Sequence, residues 1–384
     1  MKHIFCVAIV LLLSIDYAQA AEVPFVELKG HTKTIWSIVF TPDGKKVATA
    51  GHDGTVRIWD VDTGKELQKL VQGGNYGSTR VAFSPDGKKV VTSGFDNPAQ
   101  IWETDSGKAL QKLAWAEGTD SVIISPNSFS PDGKKIVGSS GGRDFTARIW
   151  DTESGKELQV FKGHTTSIYS VAFSPDGKKV LTASGDHTAR IWDADSGETL
   201  QQLEGDHALD FIVALFSPDG EKFVTASGEG LARVWDTESG KELQAMEGHG
   251  RGFIHSVHFS PDGKKFVTTS DDNTARVWDT ESGEMLLKLE SPHERRMEES
   301  GLSGFDFAIF FPDGKKILTK GRSFDRAVRI WDAESGNVLQ TLEYTQPPPW
   351  SATSISSVAI SPDGKRVVAA GGIGVSIARI WTLE

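Results

Sequence analysis

At 384 residues, with 38% hydrophobic and 24% charged residues, the chain has enough apolar material for a folded core, which argues against a disordered linker. Its 40 glycines and 20 phenylalanines suit many short strands joined by turns better than long helices. A formal net charge of −11 repels phosphate backbones and sets nucleic acid aside as an expected partner.

The first twenty residues read as a leader. Lys2 gives a positive start, Ile4 to Leu13 is an apolar run, and Ala18-Gln19-Ala20 is a small-residue cleavage site, so residues 1–20 are expected to be a signal peptide that is removed. The run is too short for a spanning helix, and no later segment approaches the roughly 20 apolar residues that one requires, so no integral membrane segment is expected after removal. A retained anchor is the alternative. The lone cysteine, Cys6, lies inside this leader, so the mature chain has no disulfide. These features predict an exported protein, periplasmic or extracellular, of the kind found in a bacterial envelope.

From residue 21 to 384 one small unit is copied eight times. Pro-Asp-Gly turns begin at Pro42, Pro85, Pro131, Pro175, Pro218, Pro261, Pro312 and Pro362, and each is followed by a tryptophan: Trp59, Trp102, Trp150, Trp192, Trp235, Trp278, Trp331 and Trp381. Ser167 to Leu203 serves as the type unit. SIYSVAF alternates and is β-prone, SPDG turns, KKVLTAS resumes a strand, TARIWD is a third, and ETLQQL follows the turn ADSG as a fourth. In Ser174-Pro175-Asp176-Gly177 the proline fixes φ at the second position, and the glycine supplies the positive φ of a tight turn. The middle strands carry apolar residues on both faces, as a sheet covered on each side by a neighbour requires.

TARIWD at Thr188 to Asp193, with Gly163-His164 upstream, resembles a WD40 repeat, and the pattern covers essentially all of the mature chain. The resemblance implies an all-β, eight-bladed WD40 β-propeller of four-stranded antiparallel blades. It also implies a hydrogen-bonded His, Ser/Thr, Asp and Trp tetrad in each complete blade. By position these are His31, Thr49, Asp53 and Trp59; His164, Thr182, Asp186 and Trp192; and His249, Thr268, Asp272 and Trp278. A buried imidazole needs both nitrogens satisfied, and an aspartate on one side with a hydroxyl on the other achieves this. Because the pairing recurs, it suits structural wiring better than one active site. Other units depart from it: Glu229 and Val375 replace the aspartate, and the second and third lack the Gly-His pair.

Phe25 to Leu28 resembles a fourth strand, whereas the chain ends on a third strand at Trp381. The N-terminal strand is therefore expected to complete the last blade and close the ring, removing its sheet edges. Seven blades with a stray unit is the alternative. The Pro-Asp-Gly and Asp-x-x-Ser/Thr-Gly turns barely change in length, while the connections on the opposite face vary, which marks that face for recognition. By the family's pattern, first-strand positions on this face are Trp36, Tyr169, Ile212 and His255. Beside the turn aspartates or their equivalents sit His52, Phe95, Arg143, Asp271 and Phe324, and Trp350 follows a stiff triple proline.

Other motifs yield to plainer readings. Gly138-Ser139-Ser140-Gly141-Gly142 matches G-x-S-x-G but lies on a strand instead of a strand-to-helix elbow. Asp193 to Gly197 hints at calcium ligation but lacks the later glutamate. The mixed-charge run Pro292 to Glu299 suits a solvated loop. The reading is a monomeric, non-enzymatic scaffold that binds a protein or peptide, with no cofactor and no metal. The alternatives are a hydrolase-like site at the channel mouth and a carbohydrate or cell-wall binding module.

Overall fold

A computed structural model describes residues 23–72, 78–94, 97–113, 122–125, 127–140, 144–204, 211–250, 252–290, 304–322, 325–344, 354–371 and 376–383. Among them are 32 strands, β1 to β32 in chain order, in eight four-stranded antiparallel sheets. The first blade is β2 (Ile35–Phe40), β3 (Lys46–Gly51), β4 (Thr55–Asp60) and β5 (Glu66–Val71), and six more blades follow in the same order. The eighth combines β30 (Ile355–Ile360), β31 (Arg366–Gly371) and β32 (Ile377–Thr382) with β1 (Phe25–Leu28). The eighth unit is thus a full blade, and the seven-blade alternative falls away.

The repeated turns follow from their side chains. Gly177 N–H donates to the Ser174 carbonyl at 2.9 Å, closing the turn, and Gly177 has φ of +74°. Ser174 Oγ donates to Asp176 Oδ1 at 2.6 Å and accepts from Lys179 N–H at 2.9 Å, so the serine and aspartate tie the hairpin together.

No blade holds a core of its own; each hydrophobic cluster lies between two blades. Trp59 packs with Ile35, Ile38 and Val47 of its own blade against Val368, Ala370, Ala378 and Ile380 of the eighth. Trp192 likewise packs against Val137, Ala147 and Ile149 of the third blade. Burying one indole of roughly 150–250 Å² stabilises by about 4–6 kcal/mol as an upper estimate, so these contacts dominate blade-to-blade cohesion. First strands of successive blades touch one another, as β2 touches β30, so they line a central channel.

Closure is visible twice. At the rim, β1 pairs with β32 in the register Phe25↔Trp381, Val26↔Ile380, Glu27↔Arg379 and Leu28↔Ala378. The Arg379 guanidinium bonds Glu27 Oε1 at 3.2 Å and lies 4.3 Å from the centroid of the Phe25 ring. On the channel side, each turn glycine faces the proline of the preceding blade: Gly87 meets Pro42, Gly133 meets Pro85, and so on to Gly364 and Pro312. Gly44 then meets Pro362, which completes the circle.

Candidate interaction surface

The tetrads fix where the loops of this face start. Trp59 Nε1–H donates to Thr49 Oγ1 at 2.8 Å, Thr49 Oγ1 lies 2.8 Å from His31 Nε2, and His31 Nδ1 lies 3.0 Å from Asp53 Oδ2. One proton order satisfies every atom: indole to threonine, threonine to Nε2, and Nδ1–H to the carboxylate. The chain Trp192–Thr182–His164–Asp186 repeats it at 2.9, 2.7 and 2.8 Å, and Trp278–Thr268–His249–Asp272 at 2.8, 2.6 and 2.9 Å. In the first and fourth blades the aspartate also accepts from the backbone just after the histidine, Thr32 N–H to Asp53 at 2.9 Å and Thr165 N–H to Asp186 at 3.0 Å, so these tetrads pin the entry to the first strand. Burial raises the pKa of Asp53 and Asp186, but hydrogen bonds from His31 and Thr55, and from His164 and Thr188, outweigh it and hold both carboxyls well below the usual range. Partial wiring persists elsewhere: Trp102, Trp235 and Trp331 donate to Thr92, Thr225 and Thr319 at 2.9, 2.9 and 2.8 Å.

Three features escaped the sequence reading. An arginine two residues before the tryptophan is buried or partly buried in several blades, where buried Arg148 pairs with Asp144 and buried Arg329 with Asp325, and half-buried Arg276 pairs with Asp272. Its recurrence in T-A-R-I-W was the available signal. In the eighth blade Tyr344 packs on Gly371 as His31 packs on Gly51, so a phenol fills the imidazole's place. Lastly, the first residue of a second strand reaches the Asp-x-x-Ser/Thr-Gly turn of the following blade. Lys46 pairs with Asp105, Lys89 with Glu153, Lys135 with Asp195, Lys222 with Glu281, and Arg366 with Asp62 across the closure. Gln111, Gln159 and Gln244 donate to carbonyls of the same turns. The regular face is therefore occupied by its own blade-to-blade bonds.

The opposite face differs. Trp36 is 52% exposed and Tyr169 46%, on equivalent first-strand positions around the channel rim, and Phe253, just before the first strand of the sixth blade, is also exposed. Ile212 takes the corresponding place in the backbone of β18 (Phe211–Phe216), and His52 is half-buried. His255 Nε2 lies 2.8 Å from Asp271 Oδ1, and Arg322 pairs with the same carboxylate. Burial raises the Asp271 pKa, yet the hydrogen bond from His255 and the neighbouring charges lower it overall. Next to this cluster Lys320 bonds Asp306 at 2.7 Å and the Ile355 carbonyl at 3.1 Å. These non-repeated charges are mutually compensated, a geometry that orders loops and presents a mixed-charge sector. Phe95, Arg143, Phe324 and Trp350 lie outside the described residues, as do the run Pro292 to Glu299 and the leader.

Two motif readings meet their geometry here. Ser139 and Ser140 are fully buried in β11 (Lys135–Ser140), not raised on an elbow. Asp193 Oδ1 accepts from Ser196 N–H at 2.7 Å and Asp195 N–H at 3.1 Å, which spends the carboxylate on its own turn. Among the described residues no helix is long and apolar enough to cross a membrane.

The family model for the WD domain, G-beta repeat matches residues 22–60, 119–151, 155–193, 197–236 and 240–279, and those matches fall on blades of this closed ring. The chain belongs to the WD40 family. Among its relatives, this WD40 chain is 39% identical over 46 residues to the Target of rapamycin complex subunit wat1 of Schizosaccharomyces pombe, covering 12% of this chain and 15% of that protein. It is 44% identical over 43 residues to the Ribosome biogenesis protein ERB1 of Debaryomyces hansenii, covering 11% of this chain and 5% of the relative. A third, the WD repeat, SAM and U-box domain-containing protein 1 of Gallus gallus, is 39% identical over 51 residues, covering 13% and 11%. The matched stretches thus span no more than 15% of these relatives' length, about one repeat. All three are eukaryotic, so the bacterial character expected from the leader finds no support among them.

Proposed function

We propose that this WD40 propeller is a non-enzymatic scaffold that binds a protein or peptide through the face opposite its Pro-Asp-Gly turns. The observation that carries the reading is the contrast between the faces: one is taken up by blade-to-blade pairs, while the other holds Trp36 and Tyr169 about half exposed at the rim. Large aromatics on a rigid frame are effective anchors because they desolvate much apolar area at little entropic cost. His255, Asp271 and Arg322 supply a polar sector that sets orientation more than affinity. Residues 1–20 support export of the chain, with the scaffold acting outside the cytoplasm.

Double substitution of Trp36 and Tyr169 with alanine tests the surface. Loss of each anchor costs about 2 kcal/mol or more of binding, so capture of the natural partner from an envelope extract is expected to fall at least tenfold with the melting temperature unchanged. Undiminished capture removes these anchors from the account.

A further inference from the structure

The channel holds a charge that the scaffold does not use. Arg80 sits on β6 (Ser78–Phe83), the first strand of the second blade, paired in register with Ser93. The same register position is Ser37, Ser170, Val213, Ser256, Phe307 or Ser357 in other blades. Arg80 is thus the one cation among these channel-wall positions. Water reaches its side chain, yet surrounding protein crowds the guanidinium enough to push its pKa down, and among the described residues no carboxylate pairs with it. The buried arginines differ: Arg148, Arg329 and Arg379 each have an acidic partner.

Farther down the same strand the wall becomes apolar. Phe83, Phe173, Phe216, Phe259 and Phe310, with the turn prolines and serines and the polar side chains of Asn127 and His258, line a cavity of about 460 Å³ at the Pro-Asp-Gly end of the channel. That volume is within the roughly 300–1,000 Å³ of small-molecule sites. Phe83 follows Arg80 by three residues in an unbroken register, so the two side chains leave opposite faces of β6 and are offset by about 10 Å along the channel axis, the length of one short hydrocarbon chain.

We propose that the central channel binds a small amphipathic carboxylate, its head group on Arg80 and its apolar tail in the phenylalanine-lined cavity. A guanidinium meets a carboxylate through two parallel hydrogen bonds, and a lumen partly closed to water strengthens the pair. The tail gains by leaving water for a preformed apolar wall. Neither half suffices alone, because the cavity offers an alcohol the same wall, and Arg80 offers acetate the same charge. The site is separate from the aromatic rim and stands whether or not Trp36 and Tyr169 anchor a partner.

Isothermal titration of the full protein with octanoate, octanol and acetate tests this. Octanoate is expected to bind one to one, at least tenfold tighter than either control. Arg80→Met, which keeps the side chain's reach, is expected to bring octanoate down to the level of octanol, and Arg80→Lys to restore part of the difference. Unaltered circular dichroism melting of both variants shows that the fold persists. Absence of saturable octanoate binding, equal affinity for octanol, or undiminished octanoate binding by Arg80→Met overturns the proposal.

Discussion

Replacing Thr182 with valine is expected to destabilise the protein by about 2–5 kcal/mol, measured as a lowered urea midpoint. The Thr182 hydroxyl serves two buried partners at once, Trp192 Nε1 at 2.9 Å and His164 Nε2 at 2.7 Å. Valine keeps the shape, removes both bonds and leaves two buried polar atoms without partners, each costing about 1–3 kcal/mol. Thr92 provides an internal comparison, since it accepts from Trp102 at 2.9 Å in a blade without the upstream Gly-His pair. Thr92→Val is therefore expected to cost about half as much. Equal effects at the two sites would show that the histidine adds nothing to the tetrad.

A second expected result concerns acid. His258, in β22 (Ile254–Phe259), takes the channel-wall position that holds Ala82, Ala172, Leu215 or Ile309 in other blades. Burial drives its pKa down from 6.5 to about 4, and a hydrogen bond to the Ala308 backbone only partly opposes this. Nδ1 is buried without a hydrogen-bond partner, and the ring packs edge-on to Phe307 at 4.9 Å between centroids. The unfolded chain takes up this proton near pH 6.5, whereas the native protein resists until about pH 4. Unfolding therefore binds a proton in that window, and stability falls as the pH is lowered through it, levelling off below. The separation corresponds to about 3 kcal/mol. Asp53, Asp186 and Asp272 have depressed native pKa values, so their contribution is present above about pH 4 and lost below it, outside the histidine's window. His258→Phe is expected to remove most of the loss between pH 6.5 and 4, read from urea midpoints at each pH. An identical slope in the variant would contradict the assignment.

Both cases mark the boundary of what the sequence makes legible. The ring could be read because Pro-Asp-Gly and tryptophan recur in step and because the last unit lacks a fourth strand that Phe25 to Leu28 supplies. Trp36 and Tyr169 could be located because first-strand position determines which face a residue meets. Tyr344 could not be placed, since a tyrosine before a variable loop gives no sign that it will pack on Gly371. Lys46 and Asp105 are separated by 59 residues and share no local motif, so their pairing emerges only when adjacent blades pack. Arg80 and His258 were equally hidden, because one polar residue in an alternating strand does not announce that its wall encloses a channel.

The account's central claim is circular closure through β1, and engineered cysteines test it most directly. Val26 and Ile380 are register partners, and Cα separations across antiparallel pairs of about 4.5–5.5 Å lie within the range of a disulfide. With Cys6→Ser in place, Val26→Cys and Ile380→Cys are predicted to join quantitatively on mild oxidation. The chain-entropy argument then gives a stabilisation of up to about 5 kcal/mol that dithiothreitol reverses. Two thiols that stay free in the native protein, or that bond without raising the unfolding midpoint, would contradict closure by this strand.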